Sequence, residues 1–349
     1  MPESTSPPPE AVVAQMIFGK WVAMALSVAA QLRVADSLAT GPKSVADLAA
    51  ETGAHAPSLY RVLRALASVG VFAEGADGRF GQTPLSEVLR SDVPGSMRAV
   101  ADYCGADWSW RPWGKLLDTV RTGRTAFDEV FGEQAFEYLA RHPAESAVFN
   151  EGMTGFSMQE SPAVAEAYDF SPFGTIVDVG GGHGHLLCTI LKKHPGPKGI
   201  VFDSPHVAEG ATPRIAAAGL AGRCRAEGGD FFASVPAGDA YVMKHIIHDW
   251  PDDKAMAILR NCRAAAKPGA KLVLVEMVIP PGNGPSPGKL LDLEMLVIAS
   301  GKERTEGEYA DLLAGAGWKL AGITPTKSPT SVIEGVAAEH GVASRAGPG

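Results

Sequence analysis

The spacing of apolar residues changes along the chain. Up to about residue 170 apolar side chains recur at helical intervals, whereas after Thr175 they gather in short runs rich in Val and Ile. Four of these runs predict strands, at residues 176–179, 199–203, 240–243 and 271–276. Because the strands alternate with helical segments, we predict a parallel sheet with helices on both faces and ligands at the carboxyl ends of its strands.

The N-terminal region predicts a small helical module with a β-hairpin. One largely buried helix is expected over residues 12–38, and Ser44 is expected to cap a short helix after it. A second amphipathic helix is predicted over residues 57–66, and a turn at residues 76–78 joins two short strands. This order of elements is typical of a winged helix.

The charge of the chain decides how that module is interpreted. The 349 residues include 31 basic and 39 acidic side chains, a formal net charge of −8. Residues 40–90 carry five of each sign, so the winged helix lacks the positive surface that phosphate binding requires. We predict a packing or dimerisation role and no nucleic-acid partner. A ligand-sensing, DNA-binding regulator is kept as an alternative.

Cysteine spacing and the N-terminus bear on the location of the protein. Cys104, Cys188, Cys224 and Cys262 lie tens of residues apart, which predicts reduced, buried thiols rather than a zinc or disulfide framework. The apolar stretch at 21–32 has about twelve residues, whereas a membrane span needs about twenty. The first residues lack the features of a signal peptide, so we expect a soluble cytoplasmic protein without a membrane partner.

The sharpest motif is the glycine-rich turn at residues 178–184, which follows the first predicted strand and precedes a helix. Gly180 and Gly182 would allow a tight turn and let a ligand approach the backbone at the helix N-terminus. A dinucleotide-binding pattern starting at Gly180 would need glycine at position 185, where His185 stands. A nicotinamide-dependent reductase is therefore disfavoured, and it is kept as an alternative.

Acidic residues stand at the ends of further predicted strands. Asp203 ends the second one, where a carboxylate is placed to accept hydrogen bonds from ribose hydroxyls. Asp230 and Phe231 precede the third, where they would bond to and stack on an adenine base. Each carboxylate alone is explained equally well as a turn residue or a helix cap, but their joint occurrence favours an adenosine-containing ligand.

Candidate catalytic residues follow the strand predicted at 240–243. His245 and His248 suggest a metal site, but no third ligand at helical spacing is evident, so we expect no metal. We predict instead that a turn places His248 beside the bound ligand. Glu276 ends the next strand and Glu303 lies in a later loop, and both are potential partners for orienting a histidine base. The two basic residues that flank Glu303 leave a surface ion pair as its alternative role.

Six segments of the chain resemble one protein family. In chain order they read DVGGGHG, VFDSPHV, GGDFF, MKHIIHDWPDD, LVLVEMVIP and GKERTEGEYADLLAGAGW. Their order and spacing resemble the small-molecule S-adenosylmethionine (SAM)-dependent O-methyltransferases, which include plant caffeic acid and flavonoid enzymes and bacterial antibiotic-tailoring enzymes. The resemblance covers roughly residues 15–335, and it departs from the family pattern at His183, where Thr or Lys is frequent.

The resemblance implies an α/β fold, with a Rossmann-like, doubly wound catalytic domain of the class I methyltransferase type. A mostly helical winged-helix dimerisation domain is expected to precede it. The expected segments are a disordered tail at 1–14, the dimerisation domain at 15–98, connecting helices that line the substrate pocket at 99–170, the SAM-binding catalytic domain at 171–337 and a disordered tail at 338–349.

The resemblance also implies roles for single residues. His248 is expected to be the general base, held by Glu276 and Glu303. The residues expected to bind the cofactor are Gly180, Gly182, Asp203, Asp230, Phe231 and Lys244.

The implied activity is methyl transfer from SAM to a hydroxyl of a small aromatic acceptor, either a phenol, a hydroxyquinone or a polyketide, leaving S-adenosylhomocysteine. Met153 matches a position that contacts the acceptor. Trp108 and Phe156 belong to an aromatic-rich stretch and are candidates either for the same pocket or for the core between domains. The enzyme is expected to be a metal-free homodimer. Because some bacterial relatives decarboxylate or hydroxylate, diverged chemistry on the same fold is kept as an alternative.

Overall fold

The computed structural model describes residues 7–338, which form two compact units. Among the described residues, the first unit comprises residues 7–114 and Phe136–Phe156, and the second comprises Lys115–Ala135 and residues 157–338. Residues 1–6 and 339–349 of the two expected tails lie outside the described residues. Residues 9–14 are helical, because the first helix begins at Pro9, whose fixed φ suits a first helical turn. The expectation of disorder up to residue 14 is therefore wrong for this part.

The chain up to residue 167 is mostly helical. Its elements are α1 (Pro9–Gln31), α2 (Val34–Ser37), a 3₁₀ turn (Leu38–Thr40), β1 (Lys43–Ser44), α3 (Val45–Thr52), α4 (Ala56–Ser68), β2 (Phe72–Glu74), β3 (Arg79–Gln82), α5 (Pro84–Glu87), α6 (Arg98–Gly105), α7 (Asp107–Trp113), α8 (Leu116–Thr122), α9 (Ala126–Phe131), α10 (Ala135–Arg141) and α11 (Pro143–Ala167).

The predicted winged-helix order of elements is confirmed in the first unit. Ser44 caps α3, accepting a hydrogen bond from the backbone N–H of Asp47 at 3.2 Å. The strands β2 and β3 form the hairpin, and β1 joins them as a third strand. The single helix expected over residues 12–38 is wrong, because Arg33 has a left-handed φ of 52° that separates α1 from α2.

An exposed apolar face runs along α1. Val13, Met16, Ile17 and Trp21 are each more than half exposed. Among the described helices, α1 alone is long and apolar enough to cross a membrane by length and composition, and only 6% of its most apolar window is buried. The sequence-based expectation that the apolar stretch is too short for a span is thus corrected, since the helix extends it to 23 residues.

The second unit is built on a seven-stranded sheet. Its elements after α11 are β4 (Thr175–Val179), α12 (His185–Lys193), β5 (Lys198–Asp203), α13 (Pro205–Ala217), β6 (Cys224–Gly228), β7 (Gly238–Lys244), a 3₁₀ turn (Ile247–Asp249), α14 (Asp252–Ala265), β8 (Ala266–Glu276), α15 (Pro287–Glu294), a π-helical turn (Met295–Ala299), α16 (Glu306–Gly315), β9 (Trp318–Pro325) and β10 (Ser331–Ala337).

The strand order of this sheet is β6-β5-β4-β7-β8-β10-β9. The first five strands pair in parallel and the last two pairings are antiparallel. All four predicted strands are confirmed, whereas β6, β9 and β10 were not predicted. The chain builds outward from β4 and then returns to place β7 on its other side. The carboxyl ends of β4 and β7 therefore flank the point at which strand order reverses, where open sheets of this kind bind ligands.

Alternate residues of the central strands form two buried cores, one on each face of the sheet. Val177 and Val179 belong to the core that α14 and α16 cover. Ile176 and Val201 belong to the opposite core, which α12 and α13 cover. Because neither face is free to move, the loops at the carboxyl edge of the sheet start from fixed positions.

Candidate functional site

The glycine-rich turn connects β4 to α12 at the centre of the sheet. Gly180 and Gly182 have φ angles of 70° and 55°, in the left-handed region that favours glycine. A Cβ atom on Gly180 would collide with the side chain of Ile246, so this position also requires that no side chain be present. The backbone of the turn is thus accessible at the point where strand order reverses.

Asp178 lies at the start of this turn and is buried. Its Oδ2 atom has no hydrogen-bond partner among the described residues, and burial raises the pKa of its carboxyl to about 7. An unsatisfied buried acceptor is unfavourable by itself, so this oxygen offers a site to a donor that arrives from outside the chain.

Asp203 ends β5 and is bound to the glycine-rich turn. Its Oδ2 accepts the N–H of Gly182 at 2.8 Å, and its Oδ1 accepts the N–H and the hydroxyl of Ser204 at 2.7 and 3.2 Å. Burial raises the pKa of this carboxyl, although these three hydrogen bonds act in the opposite direction. A carboxylate has about four lone-pair positions, so Asp203 holds the turn and retains acceptor capacity for hydroxyl groups.

Asp230 and Phe231 follow β6, at the same edge of the sheet. Asp230 is exposed, and its Oδ1 accepts the N–H of Phe232 at 2.8 Å. The ring of Phe231 packs edge-on against Trp250 with 6.1 Å between centroids. Its carbonyl oxygen accepts a hydrogen bond from Asn261 on α14 at 2.8 Å. The loop is therefore held against the protein while the carboxylate faces solvent.

His248 lies in the 3₁₀ turn after β7, which confirms the predicted turn. Its side chain is buried, with Nδ1 at 2.5 Å from Oε1 of Glu303. The same nitrogen lies 3.7 Å from Oε2 of Glu276, and Nε2 lies 3.4 Å from Oδ1 of Asp249. Three carboxylates thus surround one imidazole.

The two predicted glutamates are both buried at this imidazole. Glu276 uses Oε1 to accept the N–H groups of Ile246 and Ile247 at 3.2 and 3.0 Å, which holds the carboxylate against the turn. Glu303 is only 3% exposed, so the alternative that it forms a surface ion pair is wrong.

The carboxylates raise the pKa of His248 to about 10. Burial acts in the opposite direction because it removes water from the imidazolium, but Glu276, Asp249 and Glu303 together outweigh it. Burial raises the pKa of the Asp249 carboxyl to about 7. The cluster therefore stabilises the protonated ring, which is the state that a histidine base reaches after it has accepted a proton.

Gly301 and Arg304 hold the Glu303 loop against the turn that carries His248. The guanidinium of Arg304 is fully buried and donates to the carbonyl oxygens of Ile247 and Trp250 at 3.0 and 2.9 Å. A Cβ atom on Gly301 would collide with the backbone of His248 and its neighbours. The distance between the imidazole and Glu303 is therefore fixed from both sides.

A second group of buried charges lies beside the first. Glu160, on α11, accepts hydrogen bonds from Lys244 Nζ at 3.2 Å and from His245 Nε2 at 3.1 Å. Burial would raise the pKa of Glu160, but His245 and Lys244 lower it to about 2. His245 Nδ1 lies 3.7 Å from Glu276 Oε2, so the two groups meet at Glu276.

These contacts also bear on the metal that the sequence analysis set aside. The donor atoms of His245, His248 and Glu276 lie within 4.8 Å of one another, so Glu276 is the third donor that residue spacing did not reveal. Both imidazoles already face carboxylates, with Glu160 at one ring and Glu303 at the other. We assign no metal to this cluster.

The three predicted acceptor-binding residues lie in the first unit. Trp108 is buried against Tyr103 and Phe149, with ring centroids 5.4 and 6.1 Å away, and its indole N–H has no partner among the described residues. It also lines a cavity of about 290 Å³. Met153 and Phe156 lie on α11 and are half-buried.

The sequence analysis missed Glu160, Asp249, Gly301 and Arg304. Asp249 follows directly after His248, so its position offered a signal. The basic residue at position 304 was interpreted as evidence of a surface, whereas it is the buried clamp of the loop. Nothing in the local sequence around Glu160 links it to residues more than eighty positions away.

Comparisons with known proteins match both parts of the chain. Residues 113–319 match the O-methyltransferase domain family, and residues 14–92 match the O-methyltransferase dimerisation domain. The phenazine O-methyltransferase PhzM of Lysobacter antibioticus is 48% identical over 94% of this chain and 96% of its own length. The aclacinomycin 10-hydroxylase RdmB of Streptomyces purpurascens is 36% identical over 88% of this chain and 84% of its own length.

Solved structures show the same fold. The crystal structure of LaPhzM has a TM-score of 0.92 at 48% identity, covering 95% of this chain and 100% of that one. The O-methyltransferase NcsB1, in complex with SAM and 2-hydroxy-5-methyl naphthoic acid, has a TM-score of 0.78 at 36% identity, covering 90% and 95%. These matches confirm the Rossmann-like α/β fold and the SAM cofactor. The chain belongs to the O-methyltransferase family and is a SAM-dependent methyltransferase with an N-terminal dimerisation domain.

Proposed function

We propose that this enzyme methylates a hydroxyl of a small phenol, hydroxyquinone or polyketide, with His248 as the general base. The observation that carries the proposal is the buried imidazole whose Nδ1 lies 2.5 Å from Glu303. With that nitrogen held by a carboxylate, the ring is fixed in orientation and its cationic form is stabilised. Metal-free transfer remains our prediction.

The carboxyl edge of the sheet fits a SAM molecule. Gly180 and Gly182 would let it approach the backbone, Asp203 would accept its ribose hydroxyls, and the unsatisfied Oδ2 of Asp178 would accept a donor such as its ammonium group. Asp230, Phe231 and Lys244 are the other residues that we assign to it. When bound, SAM supplies a methyl group already activated by its sulfonium.

Two contributions to the rate come from the protein. Holding the reacting groups in line contributes up to about 7–11 kcal/mol of the barrier, and a positioned base contributes typically 10²–10⁴-fold. Transfer from a phenol of pKa ~10 to a free imidazole of pKa ~6.5 is uphill by about 4.8 kcal/mol. A His248 pKa of about 10 removes most of that difference.

The same electrostatics have a consequence for pH. Because His248 accepts a proton only when it is neutral, a pKa of about 10 leaves few competent molecules at neutral pH. We therefore expect the rate with weakly acidic phenols to rise with pH through the neutral range.

We propose that α1 forms part of a homodimer interface. Its apolar side chains Met16, Ile17 and Trp21 lie at helical spacing and are each more than half exposed, and contiguous apolar surface of this kind marks interaction sites. The match of residues 14–92 to the dimerisation domain supports a second copy as the covering surface. We place the enzyme in the cytoplasm, consistent with the buried free thiols of Cys188, Cys224 and Cys262, whereas Cys104 is exposed and not buried as expected.

The names of the relatives support a planar acceptor. One is a phenazine O-methyltransferase, and another was solved with a hydroxynaphthoic acid. Trp108, Met153 and Phe156 are the residues that we assign to acceptor binding, and the cavity beside Trp108 supports an aromatic ligand in the first unit.

The test is a panel of phenols, hydroxyquinones and polyketides incubated with the purified enzyme and SAM. A mass gain of one methyl group, lost when the acceptor hydroxyl is replaced by hydrogen, is the expected result. A product that gains oxygen or loses carbon dioxide would instead support diverged chemistry, which the similarity to the hydroxylase keeps open. A full panel without any mass gain would contradict the proposed acceptor class.

A further inference from the structure

Two histidines share one carboxylate in the second unit. Glu276 binds the turn through Oε1, while its Oε2 has no hydrogen-bond partner among the described residues. This oxygen lies 3.7 Å from Nδ1 of His245 and 3.7 Å from Nδ1 of His248. The two rings are tilted by 31°, with 4.9 Å between their centroids. A charge on His245 therefore acts directly on the ring of His248.

The surroundings of His245 favour its cationic form. Its Nε2 lies 3.1 Å from both oxygens of Glu160. Its Nδ1 has no hydrogen-bond partner among the described residues and lies 3.7 Å from Oε2 of Glu276. A carboxylate therefore lies near each nitrogen, and only the imidazolium carries a proton on both. Although burial and the neighbouring Lys244 oppose it, the two carboxylates raise the pKa of His245.

The backbone is arranged to place this ring. His245 has a φ of 53°, in the left-handed region that residues other than glycine rarely adopt. Its N–H still pairs with the carbonyl oxygen of Val275 at 3.1 Å, so β7 remains joined to β8 at that point. The unusual conformation directs the ring between Glu160 and Glu276, and strain of this kind is frequent at functional sites.

We propose that His245 is a positioning residue for the reaction: as an imidazolium held by Glu160, it fixes the unbonded oxygen of Glu276 and favours the neutral, proton-accepting form of His248. The inference rests on His248 being the base. Three carboxylates surround His248, and without a nearby cation they would hold it protonated more strongly. The charged or titratable groups that face the two rings are Glu160 from α11, Lys244 from β7, Glu276 from β8, Asp249 from the 3₁₀ turn, and Glu303 and Arg304 from the loop before α16.

Two substitutions separate charge from structure. His245→Asn removes the cation with a residue that tolerates the left-handed region, and His245→Lys keeps a positive charge. In His245→Asn we expect the pKa of His248, and with it the rising limb of kcat/KM against pH, to move up by about one unit or more. His245→Lys should bring both back toward the wild-type values.

Glu160→Gln removes the carboxylate that holds His245. It should shift the rising limb of kcat/KM against pH in the same direction as His245→Asn, and the double variant should show no further shift. Glu166→Gln is the matched control, because Glu166 lies on the same helix but pairs with Lys327 in solvent. It should leave the limb in place.

NMR titration of histidine-labelled, ligand-free enzyme measures the protonation of His245 and His248 without turnover. We expect His245 of the wild type to remain protonated at pH 7. This measurement uses the wild type alone, so it does not depend on whether a variant folds. A neutral His245 at pH 7, or the same limb in His245→Asn and the wild type, would overturn the inference. Equal shifts in His245→Asn and His245→Lys would also overturn it. His248→Asn could keep full turnover while the rings of His245 and His248 in the wild type titrate as expected. In that case the assignment of His248 as the base would fail, and the electrostatic coupling of the two rings would stand.

Discussion

Removing the charge of Glu303 should lower the pKa of His248 without moving the ring. Glu303→Gln keeps an oxygen acceptor at Nδ1, where the carboxylate now lies at 2.5 Å. Both side chains are buried, so water does not screen the lost charge. A hydrogen bond to a charged group contributes about 1.5–3 kcal/mol, which corresponds to about one to two pKa units.

The sign of the effect on the reaction follows from which form accepts the proton. Only neutral His248 is competent, so kcat/KM rises with pH until the pKa of the free enzyme is reached. That pKa is about 10 in the wild type, and we expect the rise to end about one to two units lower in Glu303→Gln.

The assay is an NMR titration of histidine-labelled enzyme, followed by kcat/KM against pH with an acceptor from the panel. Glu306→Gln, an exposed glutamate in the first turn of α16, is the control. An unchanged or increased pKa of His248 in Glu303→Gln would refute the electrostatic account of the base.

Three further predictions concern other parts of the molecule. Asp203→Ala should weaken SAM binding about 5–150-fold, because it removes a buried carboxylate that holds the glycine-rich turn. An unchanged affinity in calorimetry would contradict the assignment of Asp203 to the ribose hydroxyls of SAM. Gly301→Ala should push the Glu303 loop away from the turn of His248, because the new Cβ would collide with the backbone of that turn. We expect kcat to fall tenfold or more, as when a catalytic pair is misplaced, while SAM affinity stays within about twofold. An unchanged kcat would argue against a role of Gly301 in holding Glu303 at His248. Trp21→Asp should convert the proposed homodimer to monomers by placing a charge on the exposed face of α1. Light scattering of the wild type and the variant at micromolar concentration checks this, and a variant that stays dimeric would place the interface elsewhere.

Short apolar runs revealed the strands that are buried on both faces. The central strands β4, β5, β7 and β8 were predicted because each contains such a run. In contrast, β6 reads Cys-Arg-Ala-Glu-Gly and lies at an edge, so no apolar run marks it.

The site was predictable where one residue follows a strand and unpredictable where the fold brings distant segments together. Asp203 and Glu276 end strands, and His248 follows one, so all three could be selected from the sequence. Glu160 reaches His245 only because α11 packs there, 85 positions away in the chain. Arg304 was interpreted as a surface residue because charge alone does not reveal burial, and its partners are backbone carbonyl oxygens that leave no mark in the sequence.

The most direct test of the base is single-turnover methyl transfer by His248→Asn, with SAM affinity measured on the same preparation. The contacts that the structure describes for this imidazole are to His245, Asp249, Glu276 and Glu303, which are not residues that we assign to SAM. We therefore predict that the rate falls by about 10²–10⁴-fold with a weakly acidic phenol while the Kd for SAM changes by less than about twofold. Turnover at the wild-type rate would contradict the assignment of His248 as the group that takes the proton of the acceptor.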